Sequence, residues 1–175
     1  MPTTIVGANV NEKPNFLAIA YCGIVQHAPP LIAIGLGKMH YTNSGIKKNR
    51  TFSVNIPSED LLELTDYVGI KSGKLVDKSK LFKVFYGELK TAPMIEETPL
   101  NLECKLVETL NFSGNAEIFI GQIIQTYAQK QILSQGLPEI QKLKPILFSM
   151  HDNNYFKVGE HLAKAWNIGL KYKNK

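Results

Sequence analysis

Asn15-Phe-Leu-Ala-Ile-Ala-Tyr21, Ala28-Pro-Pro30, Leu31-Ile-Ala-Ile-Gly-Leu36, Gly37-Lys-Met-His-Tyr-Thr42 and Thr51-Phe-Ser-Val-Asn-Ile56 follow one another in a stretch that closes at Pro57. The apolar, β-branched runs read as strands. Phe16 to Gln26 has few polar interruptions, which predicts one long strand buried on both faces. The two prolines stop the ladder before Leu31. Asn43 to Asn49 is too short for a helical crossover and predicts a short helix, with Thr42, Asn43 or Ser44 as its cap. Successive strands without long helices between them predict an antiparallel barrel rather than a doubly wound sheet.

Working outward, Thr4 to Val10 is a first strand with Gly7 as a bulge, followed by a turn at Asn11-Glu-Lys-Pro14. Downstream, Ser58 caps a helix carrying Leu61, Leu62, Leu64 and Val68, with Glu59 and Asp60 suited to its positive end. Gly69 to Asp77 is a loop, Ser79 to Phe82 a helical turn, and Leu89 to Pro99 irregular chain or an edge strand. Leu100 to Leu110 and Glu117 to Tyr127 are strands joined by the hairpin link Asn111-Phe-Ser-Gly-Asn-Ala116. Gln129 to Leu143 predicts short helical pieces. Pro145 to Met150 and Tyr155 to Val158 predict short strands, Gly159 to Leu170 a last short helix, and Tyr172 to Lys175 a frayed basic tail. The expectation is a single domain over residues 1–175, mainly β with short helices, of antiparallel Greek-key type.

Hydrophobic residues make up 44% of the 175, enough to build a core. The net charge of +5 is mild and suits an anionic ligand without requiring nucleic acid. Arg50 is the only arginine, so bidentate arginine clamps on phosphate or guanine are nearly excluded and a phosphate would meet lysine, hydroxyls and backbone N–H groups. Cys22 and Cys104 lack metal spacing and read as buried free thiols. His27, His40, His151 and His161 form no zinc pattern, and no GxSxG elbow accompanies His151-Asp152. Met1-Pro-Thr-Thr does not begin a secretory signal and no run reaches membrane-spanning length, so the expected location is cytoplasmic, with no membrane or nucleic-acid partner.

Gly35-Leu-Gly37 fails as a dinucleotide fingerprint, because its third glycine position is His40 and no acidic residue follows at ribose distance. Lys38, His40, Tyr41 and Thr42 do sit where a strand hands over to a helix, a place where N–H groups meet anions. On that pattern alone, a capped surface helix with an ordinary basic neighbour is the plainer reading.

The order of several short motifs resembles the flavoredoxin-type members of the flavin reductase-like family. These are Asn15 with its Ala-rich strand, the Pro-Pro turn, Tyr41-Thr42, Phe52-Ser-Val-Asn55 and Ser72-Gly73. Further on come Ala92-Pro-Met-Ile95, Leu102-Glu-Cys-Lys105, Ile118-Phe-Ile-Gly121 and Tyr155-Phe-Lys-Val-Gly159. The resemblance implies an FMN-binding split β-barrel, a homodimer with flavin near the subunit interface. It places Asn15, Ala18, Ile19, Ala20 and Tyr21 along the isoalloxazine. Lys38, His40, Tyr41 and Thr42 would hold the phosphate and ribityl chain, and Lys71, Ser72 and Gly73 would close the site. The implied activity passes electrons or hydride through FMN, with NADH or NADPH as reductant and a small molecule or protein as electron partner, and with no catalytic side chain. A flavin reductase and an electron-transfer flavoprotein stay open, as does a non-enzymatic FMN carrier or sensor. Two departures bear on this. The family often has Arg where His40 stands, and often a histidine in the hairpin that here reads Ser113-Gly-Asn-Ala-Glu117.

Overall fold

The computed structural model describes residues 1–172. Nine strands concern the site and its frame: β1 (Thr4–Val10), β2 (Lys13–Ile19), β3 (Cys22–Gln26), β4 (Leu31–Gly37), β5 (Thr51–Ile56), β6 (Val84–Phe85), β7 (Met94–Ile95), β8 (Leu100–Asn111) and β9 (Ala116–Ala128). Two helices matter, α1 (Thr42–Asn49) and α2 (Leu62–Ile70), the latter entered through a 3-10 turn at Glu59–Leu61. The main sheet is antiparallel with seven strands in the order β2-β1-β5-β8-β9-β4-β3.

The expected single strand from Phe16 to Gln26 is broken at Ala20–Tyr21, and its halves lie at opposite ends of that strand order. Ile19 and Cys22 are separated by only those two residues, a span of at most about 11 Å. The two ends of the sheet must therefore approach each other, and the sheet curls into a split barrel with its seam there. Burial on both faces holds for Phe16 and Leu17 but not for β3, whose residues after Cys22 are exposed. Burial alternates along β4, where Ile32, Ile34 and Leu36 point into the barrel. Val6, Ala8, Phe52, Val54, Cys104, Leu106 and Phe119 meet them there, and Ile46 of α1 plugs the end. Burying such a side chain stabilises by roughly 1.5–3 kcal/mol.

A second cluster lies on the outer face of β1 and β2. Ile5 and Phe16 pack under Val68 of α2 and under Phe82, with Phe16 and Phe82 in edge-to-face contact at 5.3 Å. This covering explains why all of β1 is buried. Gly7 is not a bulge, since the β1 ladder runs unbroken on both sides. Its missing side chain makes room for the Pro93 carbonyl. The register shifts instead at Glu103/Cys104 and Leu106/Glu108 in the long β8–β9 hairpin.

Other expectations change in detail. The first turn is shorter than Asn11–Pro14: Asn11 and Glu12 both take positive φ and join β1 to β2 as a two-residue hairpin. Gly69 and Ile70 belong to α2, so the loop begins at Lys71. Leu89 to Pro99 includes β7, which pairs with β6. Ile146–Ser149 and Asn154–Lys157 pair as a late hairpin. Gly159 to Leu170 is not a helix; only Ile168–Lys171 forms a 3-10 turn. Of the tail expected over Tyr172–Lys175, all but Tyr172 falls outside the described residues. No helix among the described residues is long and apolar enough to cross a membrane.

Candidate functional site

β2 delivers Asn15 and Leu17 beside the segment from Met39 to Thr42, and the loop from Lys71 to Lys78 folds over both. The result is two adjoining compartments. One, of about 130 Å³, is lined by Asn15, His40, Thr42, Lys71 and Ser72 among others. Its neighbour, of about 350 Å³, is lined by Asn11, Lys13, Pro14, Lys74 and Asp77 among others. Asn15, Tyr41, Gly73 and Lys78 form the shared wall. Small-molecule sites are usually about 300–1,000 Å³, so the smaller compartment suits a phosphate or polyol end and the pair suits a whole cofactor.

Three contacts fix the walls. Asn15 Nδ2 donates to Thr42 Oγ1 at 2.8 Å, both residues being buried. Because that oxygen already accepts, the Thr42 proton is left to donate elsewhere. Gly73 rests on the other end of the same amide: a Cβ there would overlap Asn15 Oδ1 and press on the Tyr41 ring. The loop itself is wound by Leu75 and Val76 N–H groups donating to the Ser72 carbonyl.

Lys78 is the residue that sequence reading missed. It is 2% exposed, and its ammonium donates to the Phe16 carbonyl at 2.8 Å and the Val68 carbonyl at 2.7 Å. Two of its three N–H groups are thereby used, leaving one. Burial lowers its pKa to about 8. Asp77 turns it inward: its carboxylate accepts from Ser79 N–H and Oγ, starting the 3-10 turn at Lys78. Asp77-Lys-Ser79 is a legible local cap, and that was the available signal.

Partial burial, and then the charge of Lys78, hold the His40 imidazole below its ordinary range. The His40 backbone N–H donates to the Gly37 carbonyl, and the His40 carbonyl accepts from the Asn43 backbone N–H. Lys13, Lys71, Lys74 and Lys78 line the two compartments against the single carboxylate of Asp77, so the field favours an anion.

Asn15, His40, Tyr41, Thr42, Lys71, Ser72 and Gly73 therefore come together. Lys38 does not join them: its ammonium donates to the Phe112 carbonyl and its N–H to Asn115, both in the β8–β9 hairpin. Ala18 faces α2 in the outer cluster, Ile19 packs on the barrel core, and Ala20 lies at the seam. Tyr21 packs over Gly35, with its hydroxyl donating to Met150 Sδ at 3.4 Å.

No side chain caps α1, whose N-cap is Tyr41. Asn43 instead donates to Glu117 and to the Gly37 carbonyl, and Ser44 donates to the Tyr41 carbonyl. Ser58 likewise makes no side-chain cap. Burial raises the Cys22 thiol to about 11 and Cys104 higher still, which makes both poor nucleophiles. No group of three or more potential metal ligands occurs among the described residues.

The flavin reductase like domain matches residues 1–153. Among solved structures, flavoredoxin from Methanosarcina acetivorans is 49% identical, with 97% of this chain and 90% of that one covered and a TM-score of 0.95. Flavoredoxin of Desulfovibrio vulgaris (Miyazaki F) is 35% identical, with 96% and 92% covered and a TM-score of 0.89. An FMN-binding protein from Thermus thermophilus shares the fold at 23% identity, with 93% and 89% covered and a TM-score of 0.82. A split antiparallel barrel, a motif order running through both halves and a family match over most of the chain agree, and the protein belongs to the flavin reductase-like family.

Proposed function

We propose that the paired compartments hold FMN and that the protein is an oxidoreductase working through it, with NADH or NADPH as the reductant. The observation that carries this reading is the convergence of buried Lys78, the free proton of Thr42 and the Ser72–Gly73 turn on one concave site. The donor set fits a phosphate monoester: an ammonium with one N–H to spare, a hydroxyl held by Asn15, and loop N–H groups, with Lys71 adding charge. FMN bound there would supply the redox chemistry. The chain's own residues would orient it, exclude water and offset negative charge. Lys78 suits the last task, because a buried cation stabilises a nearby anion more than an exposed one does.

The test is an anaerobic titration of the purified protein with FMN and then with NADH or NADPH. Tight binding followed by bleaching of the flavin band supports a reductase and names its donor. Absence of FMN binding overturns the assignment of the site.

A carrier or sensor is the second reading. It is favoured by the Phe112–Asn115 hairpin turn, which has no histidine. That reading predicts bound flavin that NADH and NADPH leave oxidised.

A further inference from the structure

Asn43 and Lys47 stand four residues apart in α1, so both lie on one face of the helix and reach Glu117 at the start of β9. Glu117 is 6% exposed, and each of its oxygens has a partner. Asn43 Nδ2 donates to Oε2 at 3.0 Å, and the Lys47 ammonium donates to Oε1. The same Asn43 nitrogen donates to the Gly37 carbonyl at 3.0 Å. The Asn43 backbone N–H donates to the His40 carbonyl, and the His40 backbone N–H donates to the Gly37 carbonyl. Asn43 thus closes the turn from Gly37 to Thr42, and Glu117 holds Asn43. The turn is tight, since a Cβ on Gly37 would come within 3.2 Å of the His40 ring. His40, Tyr41 and Thr42 line the smaller compartment, whereas Asn43, Lys47 and Glu117 line neither.

Two features of this arrangement cost stability. Asn43 is 3% exposed, and among the described residues no donor reaches its Oδ1. Rotating the amide would not mend this. Nδ2 already meets two oxygens, and a flip would set oxygen against oxygen. A buried acceptor left without a donor is destabilising. Glu117 in turn buries a carboxylate behind a turn that serves an anion, where a negative charge works against binding. Packing explains neither feature, because apolar side chains would fill the same space without a stranded oxygen or a buried charge. What the pair does provide is one fixed orientation for Asn43, and through it the shape of the turn that carries His40 and Thr42.

We infer that Glu117 is a positioning residue for the cofactor site, acting through Asn43 to hold the His40–Thr42 turn in the form that meets the phosphate of FMN. The inference rests on the flavin reading of the paired compartments. Lys47 has a different task in it. Its ammonium offsets the buried carboxylate and so stabilises the fold, without shaping the turn.

The sign of one change separates positioning from charge. A carboxylate acting only as a charge would, when removed, let an anion bind more tightly. A carboxylate that positions the turn would, when removed, let it bind less tightly. The experiment titrates the full chain with FMN by flavin fluorescence, with thermal unfolding of each variant recorded in parallel. Glu117→Ala and Asn43→Ala are each expected to weaken FMN binding on the order of tenfold, and the double variant by no more than either alone. Glu117→Gln keeps an oxygen that accepts from Asn43, so its affinity should stay within about threefold of native. Lys47→Met should lower the unfolding midpoint yet leave affinity within about threefold of native. Asn43→Ala leaves the Lys47–Glu117 ion pair in place and carries the test if Glu117→Ala does not fold.

Unchanged or tighter binding by Asn43→Ala or Glu117→Ala overturns the inference. So does a double variant weakened about a hundredfold, since the two residues would then act separately. Glu117→Gln as weak as Glu117→Ala would trace the loss to charge, and Lys47→Met as weak as either would trace it to general stability. Both results overturn the positioning role. A native chain that binds no FMN overturns the flavin reading and this inference with it, an outcome distinct from the others because it involves no variant.

Discussion

Asn15 on β2 and Thr42 at the start of α1 share a buried hydrogen bond of 2.8 Å, which joins two elements that the sequence separates by a hairpin's worth of barrel. Removing either partner strands a polar group away from water. Asn15→Leu and Thr42→Val should each destabilise the fold by about 1–3 kcal/mol in urea denaturation, with the double variant losing less than the sum. Thr42→Val should also weaken FMN binding about tenfold, since its spare proton is gone. Additive stability losses would show that the pair does not act as one unit.

Gly73→Ala tests the loop. The added methyl has no room between Asn15 Oδ1 and the Tyr41 ring, so the loop must lift from β2. The loop contributes little to the core, because its neighbours Ser72, Lys74 and Leu75 are exposed. Stability should change by less than about 1 kcal/mol. FMN affinity should fall by at least about tenfold, measured by fluorescence titration. Unchanged affinity would place the loop outside the cofactor site.

Lys78 keeps its charge at a stability cost. Its pKa is about 8 in the fold against 10.5 for a free lysine, so between those values the unfolded chain binds more protons. Stability from this residue therefore rises with pH across that window, by up to about 3 kcal/mol, and the full penalty stands below about pH 8. Lys78→Met should remove that slope. At neutral pH its net effect should be within about 1 kcal/mol of zero, because relief of the buried charge offsets two lost hydrogen bonds. FMN binding should weaken on the order of tenfold to a hundredfold. Denaturation curves at about pH 7 and about pH 10 check the first claim, and an equal slope in both proteins would refute it.

The frame of the molecule was legible where burial follows a local pattern. β1 and β5 are bounded as their apolar runs predict, and the β8–β9 hairpin is marked by turn formers at Phe112–Asn115. What local pattern hides is pairing. Phe16 to Gln26 looks continuous because both halves are apolar, yet β2 joins β1 and β3 joins β4, and only barrel closure requires the break at Ala20–Tyr21. Lys38 and Lys78 show the same limit in the site. Lys38 stands next to the motif but turns to the β8–β9 hairpin, while Lys78 looks like one more solvated lysine among Lys71, Lys74 and Lys80. Its burial depends on Phe16 and Val68, which no spacing in the loop reveals.

His40 supplies the last prediction. The family often places an arginine at this position, a permanent cation, whereas this imidazole is held below its ordinary range first by partial burial and then by Lys78. In the free protein it is therefore largely neutral at pH 7, and the charge on the site comes from lysine. A bound phosphate favours the protonated ring, so binding is linked to proton uptake. FMN affinity should rise on acidification in the native protein relative to His40→Gln, by several-fold between about pH 8 and about pH 6. The comparison with the variant matters because phosphate itself gains a proton near pH 6, which weakens binding in both proteins alike. Stability without ligand should move the other way. The unfolded histidine binds protons more readily, so acidification through pH 6.5 should destabilise the native chain more than His40→Gln. Titrations that run parallel in the two proteins would remove His40 from the anion site and leave Lys78 and Lys71 to hold the charge.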